Sequence, residues 1–142
     1  MKTLDLAGIS VYVERKVHPI YEELTSRSSK KAEDHPFATM KDLFMMSACI
    51  GAQQDKFVEL GPSRDIFSGE TFNSKTEVPV LAALAYHQTK DIEVLSDPKK
   101  VIEIAQGWAN GGIHIVREAL LERPGRPLYN LVEMLLSEVA SS

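Results

Sequence analysis

Few of the residues that could do chemistry stand in a pattern that would let them do it. Val11-Tyr-Val-Glu14-Arg-Lys16 puts a Glu-x-Lys pair at the end of a strand-like run, the arrangement that metal-dependent nucleases use to hold Mg²⁺ and polarise a water. That chemistry needs a second carboxylate from a neighbouring strand. Only Asp5 is available upstream and the pattern predicts no central sheet, so a minimal Mg-dependent nuclease ranks below a solvated Glu14–Lys16 pair. The four histidines, His18, His35, His87 and His114, form no His-x-x-x-His pair and no His-Glu-x-x-His signature. We expect no metal site and no cofactor.

Nucleophilic and phosphate chemistry fare no better. Cys49 sits in an apolar run, where a thiol is held protonated, and it should pack as a small hydrophobe in a reducing compartment. No Gly-x-Ser-x-Gly elbow is present, and Asn110-Gly111-Gly112 is not followed by the Gly-Lys-Ser or Gly-Lys-Thr of a phosphate loop. No catalytic residue is assigned, and the expected protein is not an enzyme. Basic residues are the remaining candidates: Arg15 and Lys16, Lys30 and Lys31, Lys99 and Lys100, then Arg117, Arg123 and Arg126 could converge on one face as phosphate contacts to DNA. Glu103, Glu118, Glu122 and Glu133 lie among them, and 16 Lys and Arg face 20 Asp and Glu, a net charge of -4. That balance favours an ordinary solvated face, with DNA binding as the alternative.

The elements that carry these residues are mostly helical. At 142 residues, 44% hydrophobic and 25% charged, the chain should form one globular domain, residues 1–142, with a core of its own. Residues 1–18 read as an extended arm or short strand, because Ile9 to Val13 nearly alternates β-branched and polar residues. Pro19 opens a first helix, and residues 26–35 read as a polar connection containing Lys30 and Lys31. Met40 to Ile50 is apolar almost all round, which predicts a central core helix, with Gly51 as its stop. Residues 52–74 lose periodicity; Lys56 to Leu60 and Arg64 to Phe67 could be short strands forming a small β-hairpin at 56–67, and the stretch as a whole is either a binding element or irregular packing. A helix begins at Thr76-Glu77-Val78-Pro79, and a short helical turn follows at Asp91 to Leu95.

The dominant stretch is Ser96 to Glu122. Asp97-Pro98 is a helix start, and Val101, Ile104, Ala105, Trp108, Ile115, Val116, Ala119 and Leu120 follow at helical spacing. Gly111 and Gly112 interrupt it. Two interior glycines cost a helix roughly 2 kcal/mol relative to alanine, yet the apolar stripe keeps its phase across them. One long helix is therefore expected, with Trp108, Gly111 and Gly112 as helix-packing residues that admit a close neighbour, most plausibly Met40 to Ile50 or its copy in a second chain. Arg123-Pro-Gly-Arg-Pro ends that helix, and Leu128, Leu131, Val132, Leu135, Leu136 and Val139 mark a last amphipathic helix that should pack back on it. The fold class is mainly α: about five helices, with room for one small β-hairpin. No apolar run approaches a membrane span and Met1 to Ser10 lacks an apolar signal core, so a cytoplasmic protein is expected.

Lys41-Asp-Leu-Phe-Met-Met-Ser-Ala-Cys-Ile-Gly, the helix ending Ala82-Ala-Leu-Ala, Asp91-Ile-Glu-Val-Leu and Trp108-Ala-Asn-Gly-Gly-Ile occur here in an order that resembles the DNA-phosphorothioation-associated protein 4 (Dnd system-associated) family. The likeness runs from Ile9 to Leu121 and leaves the C-terminal helix outside. It implies a bacterial context in which DNA phosphate oxygen is replaced by sulfur and unmodified DNA is restricted as an anti-phage defence. It carries no catalytic residue across. In that context the favoured reading is a non-enzymatic accessory or adaptor protein, touching a protein of that machinery or a second copy of itself through apolar helix surfaces. A small DNA-binding regulator is the alternative, and the nuclease around Glu14 and Lys16 ranks last.

Overall fold

A computed structural model describes residues 4–25 and 34–141. The order is β1 (Ser10–Glu14), α1 (His18–Thr25), α2 (Met40–Gln53), β2 (Ser63–Ser68), α3 (Val78–Thr89), α4 (Pro98–Arg117) and α5 (Pro127–Ser141), with short 3₁₀ turns at Gly69–Thr71 and Ile92–Ser96. It is the mainly helical, five-helix chain the periodicity predicts. Lys30 and Lys31 lie outside the described residues.

α4 forms because its start is well capped and its interior is welcome in the core. Asp97 accepts from the Lys100 amide at 3.2 Å, and Pro98 occupies the first turn, where its missing N–H costs nothing. The helix then runs unbroken for 20 residues through both glycines, continued by a π-helical turn at Glu118–Glu122. Residues 107–113 are all buried, so α4, not α2, is the helix surrounded on every side. α2 instead lies against it, with Leu43, Phe44, Ser47, Ala48 and Gly51 inward and Asp42 and Cys49 outward. Gly51 does not stop α2: the helix passes through it to Gln53, because this glycine is needed where α4 crosses. Asp55 takes the left-handed conformation (φ 56°) that turns the chain away.

The small antiparallel β element has a different partner from the one expected. Arg64 to Phe67 does lie in a strand, but Lys56 to Leu60 does not; β2 pairs instead with β1, across the whole connection that holds α1 and α2. Val11 faces Phe67 and Tyr12 faces Asp65, so Ile66 is bulged out of register. Val11 and Val13 point inward, while Tyr12 is 41% exposed. Phe67 stands edge-on to both Phe44 (5.6 Å) and Phe72 (5.3 Å), fastening β2 to α2.

α5 packs back as expected only at its beginning. Asn130 and Leu131 are buried against the last turn of the α4 extension, and Asn130 Nδ2 donates to the carbonyls of Leu120 (3.2 Å) and Arg123 (3.4 Å). Beyond that, the helix keeps most of its apolar side chains in solvent.

Candidate functional site

The motif Trp108 to Gly112 sits at the centre of the molecule, and each of its distinctive residues meets a different element. Trp108 is 2% exposed and its indole N–H donates to the Leu84 carbonyl of α3 at 3.2 Å. Gly112 lies against α2: a methyl group there would stand 1.7 Å from the Ser47 carbonyl oxygen and 2.8 Å from the Gly51 amide. Gly51 answers from the other side, where a methyl would stand 2.0 Å from the Trp108 carbonyl oxygen. The two backbones cross with no room for a Cβ on either.

Gly111 and Asn110 face the chain between α2 and β2. A methyl at Gly111 would stand 1.9 Å from the Lys56 carbonyl oxygen, and one at Gly107 would enter the Phe57 ring at 2.3 Å. The Val58 amide donates to the Gly107 carbonyl at 3.1 Å, and Asn110 Nδ2 returns a bond to the Val58 carbonyl at 3.2 Å. Phe57 stands edge-on to Trp108 at 5.1 Å. Residues 54–61 are thus laid along a glycine-lined side of α4, with the Val58 amide and the Val58 and Glu59 carbonyls bonded to that helix. This part of the stretch whose periodicity lapses is packed on α4.

Glu14 closes the far end of this segment. It is only 6% exposed, and its Oε2 accepts from the Gly61 amide at 2.7 Å while Lys16 Nζ lies 3.5 Å from Oε1. Burial alone would raise this carboxyl, but the Gly61 amide, the Asn110 side chain and Lys16 together hold it below the usual carboxylate range. The group is ionised at neutral pH and committed to structure. Asp5, the second carboxylate a nuclease would require, is exposed and accepts from the Ala7 amide at 3.0 Å. Among the described residues no three His, Cys, Asp or Glu side chains gather to hold a metal ion. His18 pairs with Glu22 at 3.1 Å, and His87 lies tilted against Trp108 with ring centres 5.4 Å apart. Cys49 is exposed and not packed in the core as expected, although the neighbouring protein still pushes its thiol up.

The basic residues are spread out. Lys99 and Lys100 stand at one end of α4 and Arg117 at the other, about 30 Å apart along a 20-residue helix. Carboxylates lie beside most of them: Lys16 by Glu14, Lys100 by Glu103 (4.0 Å), Arg117 by Glu122 (2.8 Å), Arg123 by Glu133 (3.3 Å) and Arg126 by Asp34 (3.1 Å). Arg15 and Lys99 are exposed, with no ion pair among the described residues.

The outer surface also carries large apolar side chains: Tyr12, Val58, Tyr86 and Ile92 singly, and a group on α5. On α5, Tyr129 is 57%, Val132 46%, Leu135 42% and Leu136 63% exposed, a contiguous set at the i, i+3, i+6, i+7 positions of one helix. The sequence held a signal for it: α5 carries apolar residues at more positions than one buried face can absorb. Among the described residues no helix is long and apolar enough to cross a membrane.

A family model described as DNA sulphur modification system-associated protein 4 matches residues 15–142. The match extends through α5, which the motif likeness from Ile9 to Leu121 leaves outside. No curated protein and no solved structure matches the chain.

Proposed function

The chain belongs to the DNA sulphur modification system-associated protein 4 family, whose name ties it to such a system, and on that premise we propose that it is a non-enzymatic accessory protein working through protein–protein contacts. The observation that carries this reading is the row Tyr129, Val132, Leu135 and Leu136, which keeps large apolar side chains in water on a helix that the rest of the chain barely covers. The buried polar groups support it from the other side. Glu14, Asn110 and Asn130 are each engaged in holding one segment of the fold to another. The partner is a protein of the DNA modification and anti-phage defence machinery, met in the cytoplasm.

Affinity capture from a host that encodes the modification system, with nuclease added to the lysate, tests this reading. The expected outcome is recovery of a protein of that system in stoichiometric amount and insensitive to the nuclease. Recovery that vanishes with nuclease would replace it with the DNA-binding reading, in which Arg15, Lys16, Lys99, Lys100, Arg117, Arg123 and Arg126 contact phosphate. No recovery from cells in which the system is active would end the accessory-protein reading.

A further inference from the structure

We infer that the π-helical turn Glu118–Glu122 is a register switch. The structure holds it in the wider register, and tightening it to an α-turn swings α5 to a second setting on the domain. This goes beyond the accessory-protein reading, because it concerns the chain alone and names no partner.

Three observations converge. First, the turn widens a helix that gives no local cause for it: α4 is α-helical through Arg117, and Glu118–Glu122 contains neither proline nor glycine. Second, the α register is open to the same residues. Ile113, Val116 and Leu120, all fully buried, are spaced i, i+3, i+7, so an uninterrupted α-helix keeps Leu120 on the same buried face. Third, two contacts depend on the wider register. Arg117 and Glu122 pair at 2.8 Å although five residues apart, a spacing that a π-turn brings side by side and an α-helix sets about 140° apart. Asn130 Nδ2 bridges the turn, donating to the Leu120 carbonyl within it at 3.2 Å and to the Arg123 carbonyl beyond it at 3.4 Å. The ion pair is 42% and 49% exposed and holds weakly, which leaves the buried Asn130 as the main lock.

A π-turn carries one residue more than an α-turn. Tightening it advances every residue beyond Glu122 by one position, a rotation of about 100° and a rise of about 1.5 Å. The connection and α5 turn together, since Asn130 also holds the Arg123 and Gly125 carbonyls and Gly125 fixes the bend with φ +108°. Asn130 is drawn away from Leu120, and Arg117 from Glu122. A helix packed ~9 Å from the α4 axis then moves by on the order of 10 Å. A ligand that binds one setting better than the other shifts the turn to it, whichever face of α5 it meets.

Pulsed electron resonance measures this directly. Spin labels go on Leu136→Cys and, in turn, on Lys75→Cys or Gln88→Cys, all exposed positions, in the full chain with Cys49→Ser. The otherwise native chain should show one dominant distance from each reference. Asn130→Ala should add a second resolved distance, shifted by on the order of 10 Å from at least one reference. Deleting Ala119 from N130A leaves an α-turn that ends where the π-turn ended, and should restore the single original distance. Should that deletion fail to fold, a second variant needs none: Leu121→Glu with Glu122→Leu moves the carboxylate to α-helical spacing from Arg117 and should itself raise the second distance. A broad spread in N130A that the deletion does not collapse is fraying of α5 and overturns the inference. So does a single unchanged distance in N130A and in the exchange variant alike.

Discussion

Asn110, Gly111 and Gly112 are consecutive, yet they serve three different contacts: a donor to loop carbonyls, a seat for the Lys56 carbonyl and a crossing point for α2. Interior glycine costs a helix about 1 kcal/mol, a cost offset here by backbone approach that no Cβ would allow. Gly112→Leu should therefore lower stability by about 3 kcal/mol or more, a fall in Tm of about 10 °C; an unchanged melting temperature would refute the crossing. Glu14 supplies a pH-dependent prediction. Its folded pKa lies below the ordinary value of 4.5, so its ionised form stabilises the native state above that pH, and the stabilisation is lost as pH falls through the folded pKa. Glu14→Gln should cost about 1–3 kcal/mol near neutrality. The gap between wild type and variant should narrow below pH 4.5, measured by thermal melts. A gap that stays constant down to pH 3 would contradict the role assigned to the carboxylate. Of these residues, the glycines and Glu14 stand out in the sequence by type alone. Their neighbours do not, because Ser47 and Lys56 contribute backbone oxygens, which carry no side-chain signal.

At the scale of elements, local rules placed most boundaries and tertiary contact moved the rest. Asp97-Pro98 starts α4 because capping is chemistry between residues three apart. Gly51 reads locally as a stop but lies inside α2, because burial against α4 outweighs its preference for a helix end. The strand at Arg64 to Phe67 was legible, whereas its partner was not: strand pairing is between chains of residues, and the nearest candidate in sequence, Lys56 to Leu60, is already bonded to α4. The junction of α5 gives a prediction at this scale. Asn130 is 4% exposed and joins the helix to the carbonyls of Leu120 and Arg123. Asn130→Ala should raise amide hydrogen exchange tenfold or so across residues 127–141 while leaving residues 101–116 protected, an opening easier by ~1.5 kcal/mol. Exchange rising equally in α4 would mean that α5 unfolds only with the whole domain.

For the whole molecule, a central helix is wrapped by α2, α3 and the 54–61 segment, while α5 stands to one side. Glu14, Asn110 and Asn130 are buried and tie segments of the framework together, and four of the exposed large apolar side chains lie on α5, with Tyr12, Val58, Tyr86 and Ile92 exposed elsewhere. The chain is acidic overall, and its cations are dispersed over both ends of α4, where Lys100 and Arg117 each lie beside a carboxylate.

The amino-acid sequence by itself determined the helical class, the start and length of α4, and the family likeness carried by Trp108-Ala-Asn-Gly-Gly-Ile. Capping, periodicity and motif order are properties of neighbouring residues. Only the tertiary structure decided that α4 is the central helix, that β1 is the partner of β2, that residues 54–61 are packed along the glycines, and which apolar side chains of α5 stay in water. Each of those depends on which surfaces meet across long sequence separations, and an apolar side chain is the same in sequence whether or not another surface comes to cover it.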